Sequence, residues 1–309
     1  MPKKVDPCPR CQGSCRWVSY PFQVQGGYAR YVGIWGAYLP VLHALRSQLT
    51  HVHVQHYNTG SMYGRNGRSW KPGTGDFHVG MADMLLAGFQ VSGGEFFPPF
   101  SPDQVLLGVP AAAGAAGSGY TSPQVVHQSL DYLVLGKSFN GAYRLARPAG
   151  HLDFRGLMIW SINWDVKAGG TFGRSQRDHL DSLFLGANRD TISQQGGSAS
   201  LSLRAGRGNA LRRYLLLGTM SGTKPGIPLT PGGVVLPLNP DLFTSILLQY
   251  LNSPLFMGFL GTLDGNGEAS ALLNVPPIPG GAGARMDFAF LLHPAFDFTS
   301  DPTAIRIGP

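Results

Sequence analysis

The chain has 309 residues, 43% of them hydrophobic and only 13% charged, a balance that excludes general disorder and is long enough for two domains with separate cores. Its formal net charge of +7 is not gathered into a basic stripe with interleaved aromatics, so nucleic acid is not an expected partner. No apolar run reaches the roughly 18 residues that a membrane span needs, so no membrane partner is expected, and 43 glycines with 24 prolines demand many turns.

All three cysteines, Cys8, Cys11 and Cys15, stand near the start, in the string PCPRCQGSC. Three thiolates at short spacing make three quarters of a zinc site, but the nearest histidine along the chain is His43. They are weak metal candidates, and neither a metal nor a cofactor is expected. The same segment lacks the apolar centre of a signal peptide. Residues 37–49 predict a helix with Val41, Leu42, Leu45 and Leu49 on one face and Pro40 in its first turn. Residues 50–58 predict a valine-rich strand ending in polar Gln55, Tyr57 and Asn58. A loop dense in Gly, Ser and Arg (59–75) then leads to Asp76, read as the N-cap of a helix with Phe77, Met81, Met84 and Leu85 inside. A strand over 103–111 follows. Thr121 or Ser122 then caps a helix that has Pro123 in its first turn and Val126, Leu130 and Leu133 as its buried stripe.

The run FRGLMIWSINWD at 154–165 is continuously apolar until it turns polar, which predicts a strand buried on both faces. In sheets of parallel strands the C-terminal ends carry ligand sites, so Trp160, Asn163 and Asp165 lie where such contacts are expected. A Gly-rich loop at 168–173 and a helix at 176–185 complete this part. Alternating strands and helices are the signature of βα units, here about half of a (β/α)8 TIM barrel. From about Thr191 short β-prone runs take over (SLSLRAG, RRYLLLGTMSG, EASALLNVP, ARMDFAFLL), with one helical stretch over 241–251, and they predict a β-sandwich. The expected fold class is therefore α/β plus all-β. It divides into an atypical segment 1–23, a barrel half 24–187 and a β-sandwich module 188–309.

Three runs, FRGLMIWSINWD (154–165), HVQHYNTGS (53–61) and VQGGYARYVGIWGAYLP (24–40), resemble the bacterial chitinases of glycoside hydrolase family 18. In that family RGxMxWSINWD is the eighth barrel strand and VQxYNxGS the sixth, and the likeness extends from about Val24 to Gly186. It implies substrate-assisted hydrolysis of chitin. A glutamic acid protonates the glycosidic oxygen while the substrate's own acetamido carbonyl attacks the anomeric carbon. By matching position, Tyr57 donates its hydroxyl to that carbonyl, Gln55 orients the sugar, and Trp160 forms the apolar floor under the reacting ring. Asn58 and Asp165 belong to the same motifs, and they serve loop geometry equally well through side-chain to backbone hydrogen bonds.

The family places its acid at the end of DGxDxDxE, a motif this chain does not contain. Its two glutamates, Glu95 and Glu268, follow no such pattern. The expectation is a chitinase-like chain that recognises chitin or N-acetylglucosamine oligosaccharides and does not hydrolyse them by itself. The alternative is a non-catalytic carbohydrate-binding protein or an inactive remnant. The resemblance also implies an extracellular setting, and the open edges of a half-barrel imply self-association.

Overall fold

A computed structural model describes residues 16–18, 38–91, 96–230 and 233–309, with only the backbone considered at 16–18. The cysteines, Glu95 and most of the 24–40 run lie outside the described residues. The chain divides into two compact units, residues 1–176 and 177–309.

The first unit is built on a four-stranded parallel sheet. Its elements follow one another as β1 (Arg16–Val18), α1 (Leu39–Leu45), β2 (Val52–Gln55), α2 (Gly75–Ala87), β3 (Val105–Pro110), α3 (Pro123–Leu135) and β4 (Gly156–Trp160). The strands lie side by side in the order β1-β2-β3-β4, all parallel, with Val52 opposite Arg16, Gln55 opposite Gly108 and Pro110 opposite Trp160. Parallel neighbours that are also successive in sequence, with a helix in the connection, make a half-barrel sheet of mixed α/β type. Gly108 lets β2 and β3 approach: a Cβ there would sit 2.5 Å from the Val54 carbonyl oxygen. Helix α2 packs against both β3 and α3, and every residue from Phe77 to Leu86 is buried.

Inside α2, Asp83 is fully buried yet fully engaged. Its carboxylate accepts from the Tyr143 hydroxyl at 2.9 Å, from the Ala146 N–H at 3.1 Å and from Arg65 Nε at 3.3 Å. Two loops, one carrying Arg65 and one carrying residues 143–146, are thereby fastened to one helix. Burial, together with the neighbouring Asp83 charge, raises the Tyr143 pKa, so the phenol stays a donor.

Several sequence expectations are corrected. The N-cap of α2 is Thr74, whose side chain accepts from the Phe77 N–H at 3.2 Å, whereas Asp76 accepts from the Tyr143 N–H at 2.8 Å. Helix α1 is shorter than predicted, and Val41 faces outward while Leu42 is buried. Strand β4 is not buried on both faces: only Gly156 is, and Trp160 is 36% exposed. The reason is its place at the sheet edge, where it pairs only with β3 among the described residues. Beyond it the polar motif coils into a short helix, α4 (Ile162–Lys167), and the next helix, α5 (Thr171–Asp181), begins inside the predicted loop. Its early start has a cause: Asp165 accepts from the Phe172 and Gly173 N–H groups, both at 3.2 Å, and so satisfies donors that the first turn leaves open.

In the second unit, two sheets share one apolar cluster. The strands are β5 (Leu185–Ala187), β6 (Thr191–Ser193), β7 (Gly197–Arg204), β8 (Arg213–Thr219), β9 (Phe256–Met257), β10 (Leu260–Thr262), β11 (Glu268–Val275), β12 (Arg285–His293) and β13 (Thr303–Gly308). One sheet has the order β6-β13-β12-β8-β10 and the other β9-β11-β7-β5. Along β7, Ala199, Leu201 and Leu203 are buried while Ser200 and Ser202 are exposed, the two-residue period of a strand with one wet face. Those residues join Leu216, Phe259, Phe288 and Phe290 of the other sheet in the common cluster. The predicted helix is present as α6 (Leu242–Gln249), capped by Asp241 and packed on β8.

Candidate functional site

The C-terminal ends of β2 and β4 bring three of the motif residues together. Alternation along β2 sends Val52, Val54 and His56 toward the helical layer, where His56 meets Phe77 and His78 of α2. Gln55 and Tyr57 take the opposite face. The Tyr57 ring stacks across β3 on the Trp160 indole, with centroids 6.4 Å apart and planes 23° apart. Tyr57 is only 3% exposed, and burial pushes its pKa up to about 12. Its hydroxyl is therefore a proton-bearing donor throughout the useful pH range. Gln55 donates from Nε2 to the Tyr57 carbonyl oxygen at 2.5 Å, which ties the polar end of the strand to itself. Trp160, in contrast, presents part of its ring to solvent, and Ile162 and Val166 on α4 are exposed beside it in sequence.

Asn58 and Asp165 have their side-chain oxygens on backbone. Asn58, in the left-handed region at φ 52°, accepts from the Gly117 N–H at 2.7 Å, and its own N–H donates to the Ser118 carbonyl at 3.2 Å. Asp165 holds the start of α5 as described above. Asn163 accepts from the Ser161 hydroxyl. Loop 117–121 presses on the end of β2 through Gly119, whose φ is +90° and whose added Cβ would lie 2.6 Å from both Tyr57 Cα and the His56 carbonyl oxygen.

Sequence reading misses the layer directly behind Tyr57. His56 and His78 are both fully buried, with Nδ1 atoms 3.0 Å apart, and His78 Nε2 lies 3.0 Å from Thr121 Oγ1. Burial lowers both pKa values. His56 falls well below its ordinary value, helped by its neighbour, and His78 falls to about 4, so both rings are neutral near pH 7. The available signal was a histidine at position 78 in an otherwise apolar helix stripe. Elsewhere in this unit a cavity of about 600 Å³, lined in part by Arg46, Thr50, Gln104 and Arg155, opens at the N-terminal ends of the strands. It is remote from Tyr57 along the strand direction, and ligand contacts in parallel sheets converge at the other end.

The first unit is thus a parallel α/β sheet whose C-terminal strand ends combine a buried phenol with a partly exposed indole, a pairing of hydrogen-bond donor and flat apolar surface. No family model matches the chain. It is 56% identical over 162 residues to "Chitinase D" of Niallia circulans, a match covering 52% of this chain and 31% of that protein. It is 52% identical over 171 residues to "Chitinase Chi52" of Paenibacillus xylanexedens, covering 55% and 33%. A solved family GH18 chitinase from Chromobacterium violaceum aligns with 53% of this chain and 45% of its own, at 37% identity and a TM-score of 0.48. The chain spans about a third of the length of the two curated relatives named. About half of the chain is thus similar in sequence to part of proteins named chitinases.

Proposed function

We propose that the first unit is the C-terminal half of a glycoside hydrolase family 18 barrel and that it grips chitin or N-acetylglucosamine oligosaccharides at the ends of β2 and β4. The stack of Tyr57 on Trp160 carries this reading, because it sets a fixed hydroxyl donor beside an open aromatic face, and relatives sharing more than half of the aligned residues are named chitinases. Tyr57 donates to the acetamido carbonyl, Gln55 orients the sugar and Trp160 lies under its ring. Asn58 and Asp165 border the site and hold its loops through backbone N–H groups. In a protein that also supplies the acid, these residues serve substrate-assisted hydrolysis: the Tyr57 hydroxyl steadies the acetamide while charge develops on it.

For this chain alone the function is capture without cleavage, since a phenol held near pKa 12 is a poor proton donor to a glycosidic oxygen. The second unit is read as a β-sandwich module, and the outer strands of the four-stranded sheet as places where chains associate. Titration calorimetry of the full chain with tri-N-acetylchitotriose tests the site. Trp160→Ala is expected to weaken binding about tenfold, and Tyr57→Phe by roughly two- to tenfold, the range of one hydrogen bond. Absence of binding to both the trimer and chitin beads overturns the proposal. Turnover of a fluorogenic chitobioside that Glu95→Gln abolishes would overturn the non-catalytic part, and a concentration-independent monomer in sedimentation would remove the association.

A further inference from the structure

Tyr57 is bracketed in sequence by two residues tied to the same loop. On one side Asn58 exchanges hydrogen bonds with Gly117 and Ser118. On the other, His56 reaches His78 on α2, and His78 reaches Thr121 at the far end of that loop. Gly119, between the two attachments, lies against the His56 carbonyl and the Tyr57 backbone. The loop therefore closes a ring around the phenol's backbone, and the histidine pair is the link that passes through the helical layer.

The proton positions in that link follow from hydrogen-bond accounting. One proton lies between the two Nδ1 atoms, so only one of the rings donates there. His56 Nε2 is buried and has no hydrogen-bond partner among the described residues. If His78 donated, His56 would carry its proton on Nε2, leaving a buried N–H donor with no acceptor. If His56 donates from Nδ1, Nε2 is left as a bare lone pair, the lesser cost. His78 then carries its own proton on Nε2 and donates to the Thr121 hydroxyl oxygen. The direction of the chain is fixed: His56 Nδ1–H to His78 Nδ1, and His78 Nε2–H to Thr121 Oγ1.

We propose that His56, His78 and Thr121 are positioning residues for the Tyr57 hydroxyl, a directed relay of two neutral imidazoles that locks the end of β2 to loop 117–121 and so sets the sugar grip. The proposal rests on the sugar-binding reading of Tyr57. In the full chain at pH 7, ¹⁵N NMR of the imidazoles reports tautomers directly: His56 protonated on Nδ1 and His78 on Nε2. Opposite tautomers, or two charged rings, overturn the relay.

Trimer affinity reads the positioning. His78→Ala is expected to lose at least tenfold, while His78→Asn, which returns an oxygen acceptor near the former Nδ1, recovers to within threefold of the native chain. A folded His78→Ala chain that binds as well as the native one, or no recovery with Asn, overturns the role. If His78→Ala fails to fold, Thr121→Val carries the test, with at least a threefold loss expected and none overturning it. If the native chain binds no trimer, the sugar reading fails by itself. The relay is then judged from the Tyr57 ring resonances, which must shift in His78→Ala and return in His78→Asn.

Discussion

Single residues differ in what they disclose before folding. Gln55, Tyr57 and Trp160 stand out in the sequence because they sit inside two extended motifs at strand ends, and the structure brings Tyr57 and Trp160 ring to ring. The histidine pair was not readable. His56 and His78 are 22 positions apart, and their neutrality is a product of burial that no local pattern encodes. Asp83 is a similar case, since a carboxylate in an apolar helix makes sense only once Tyr143, Ala146 and Arg65 surround it. Asp83→Ala leaves a buried phenol and a backbone N–H without their acceptor, at about 1–3 kcal/mol for each group. Urea unfolding followed by tryptophan fluorescence is expected to show a loss of about 2–4 kcal/mol in the first unit. Asp83→Asn, which keeps an oxygen for the Ala146 N–H, is expected to lose less.

Among elements, periodicity located most strands and helices, and local chemistry set their ends less well. The helix stripe of Val126, Leu130 and Leu133 lies in α3 and is fully buried, because an amphipathic stripe depends only on neighbours three and four residues away. Boundaries depend on distant partners. Asp76 looks like a cap and is drawn instead to the Tyr143 N–H, while α5 starts early because Asp165, outside the helix, satisfies its first turn. Strand β1, three residues long, is too short for any period to register.

Helix α6 is a case where the local signal suffices. Asp241 accepts from the Thr244 N–H at 2.9 Å and, through its other oxygen, from the Met220 N–H at 2.7 Å and the Ser221 hydroxyl at 3.0 Å. Burial alone would raise its pKa, but these hydrogen bonds outweigh it and hold the carboxyl at about 2. The native state therefore keeps the charged form longer than the unfolded chain does. The stabilisation is complete above about pH 4 and is lost as pH falls through 2. Asp241→Ala is expected to cost about 1–2 kcal/mol at pH 7, the usual scale of a cap, measured by the fall in the melting temperature of the second unit.

For the whole molecule, each unit carries its own core, and the two respond to different conditions. The second unit closes its two sheets on one cluster from Leu185 to Ile307, so residues 177–309 expressed alone are expected to give a dispersed NMR spectrum and one cooperative thermal transition. A broad, non-cooperative melt would count against that. The first unit is the acid-sensitive one. Its paired imidazoles stay neutral when folded and accept protons when unfolded, so between the ordinary histidine value of 6.5 and the folded value of about 4 for His78 the unfolded chain binds more protons, and burial lowers His56 in the same direction. Stability then falls as pH falls, by up to about 1.4 kcal/mol per pH unit for His78, with His56 acting in the same direction. All five tryptophans, at 17, 35, 70, 160 and 164, belong to this unit. Acid unfolding seen by tryptophan fluorescence is therefore expected at higher pH than the loss of β signal seen by circular dichroism. His78→Asn should narrow the gap.

The contact of Gly119 with the backbone of Tyr57 bears on how this site would look to random mutagenesis. A screen for chains that lose the proposed sugar binding would return position 119 with almost any replacement, because even a methyl group there meets the Tyr57 backbone and the His56 carbonyl oxygen at 2.6 Å. The resulting map of sensitive positions would be larger than the ligand's footprint, and its outer part would trace the loop that clasps the strand.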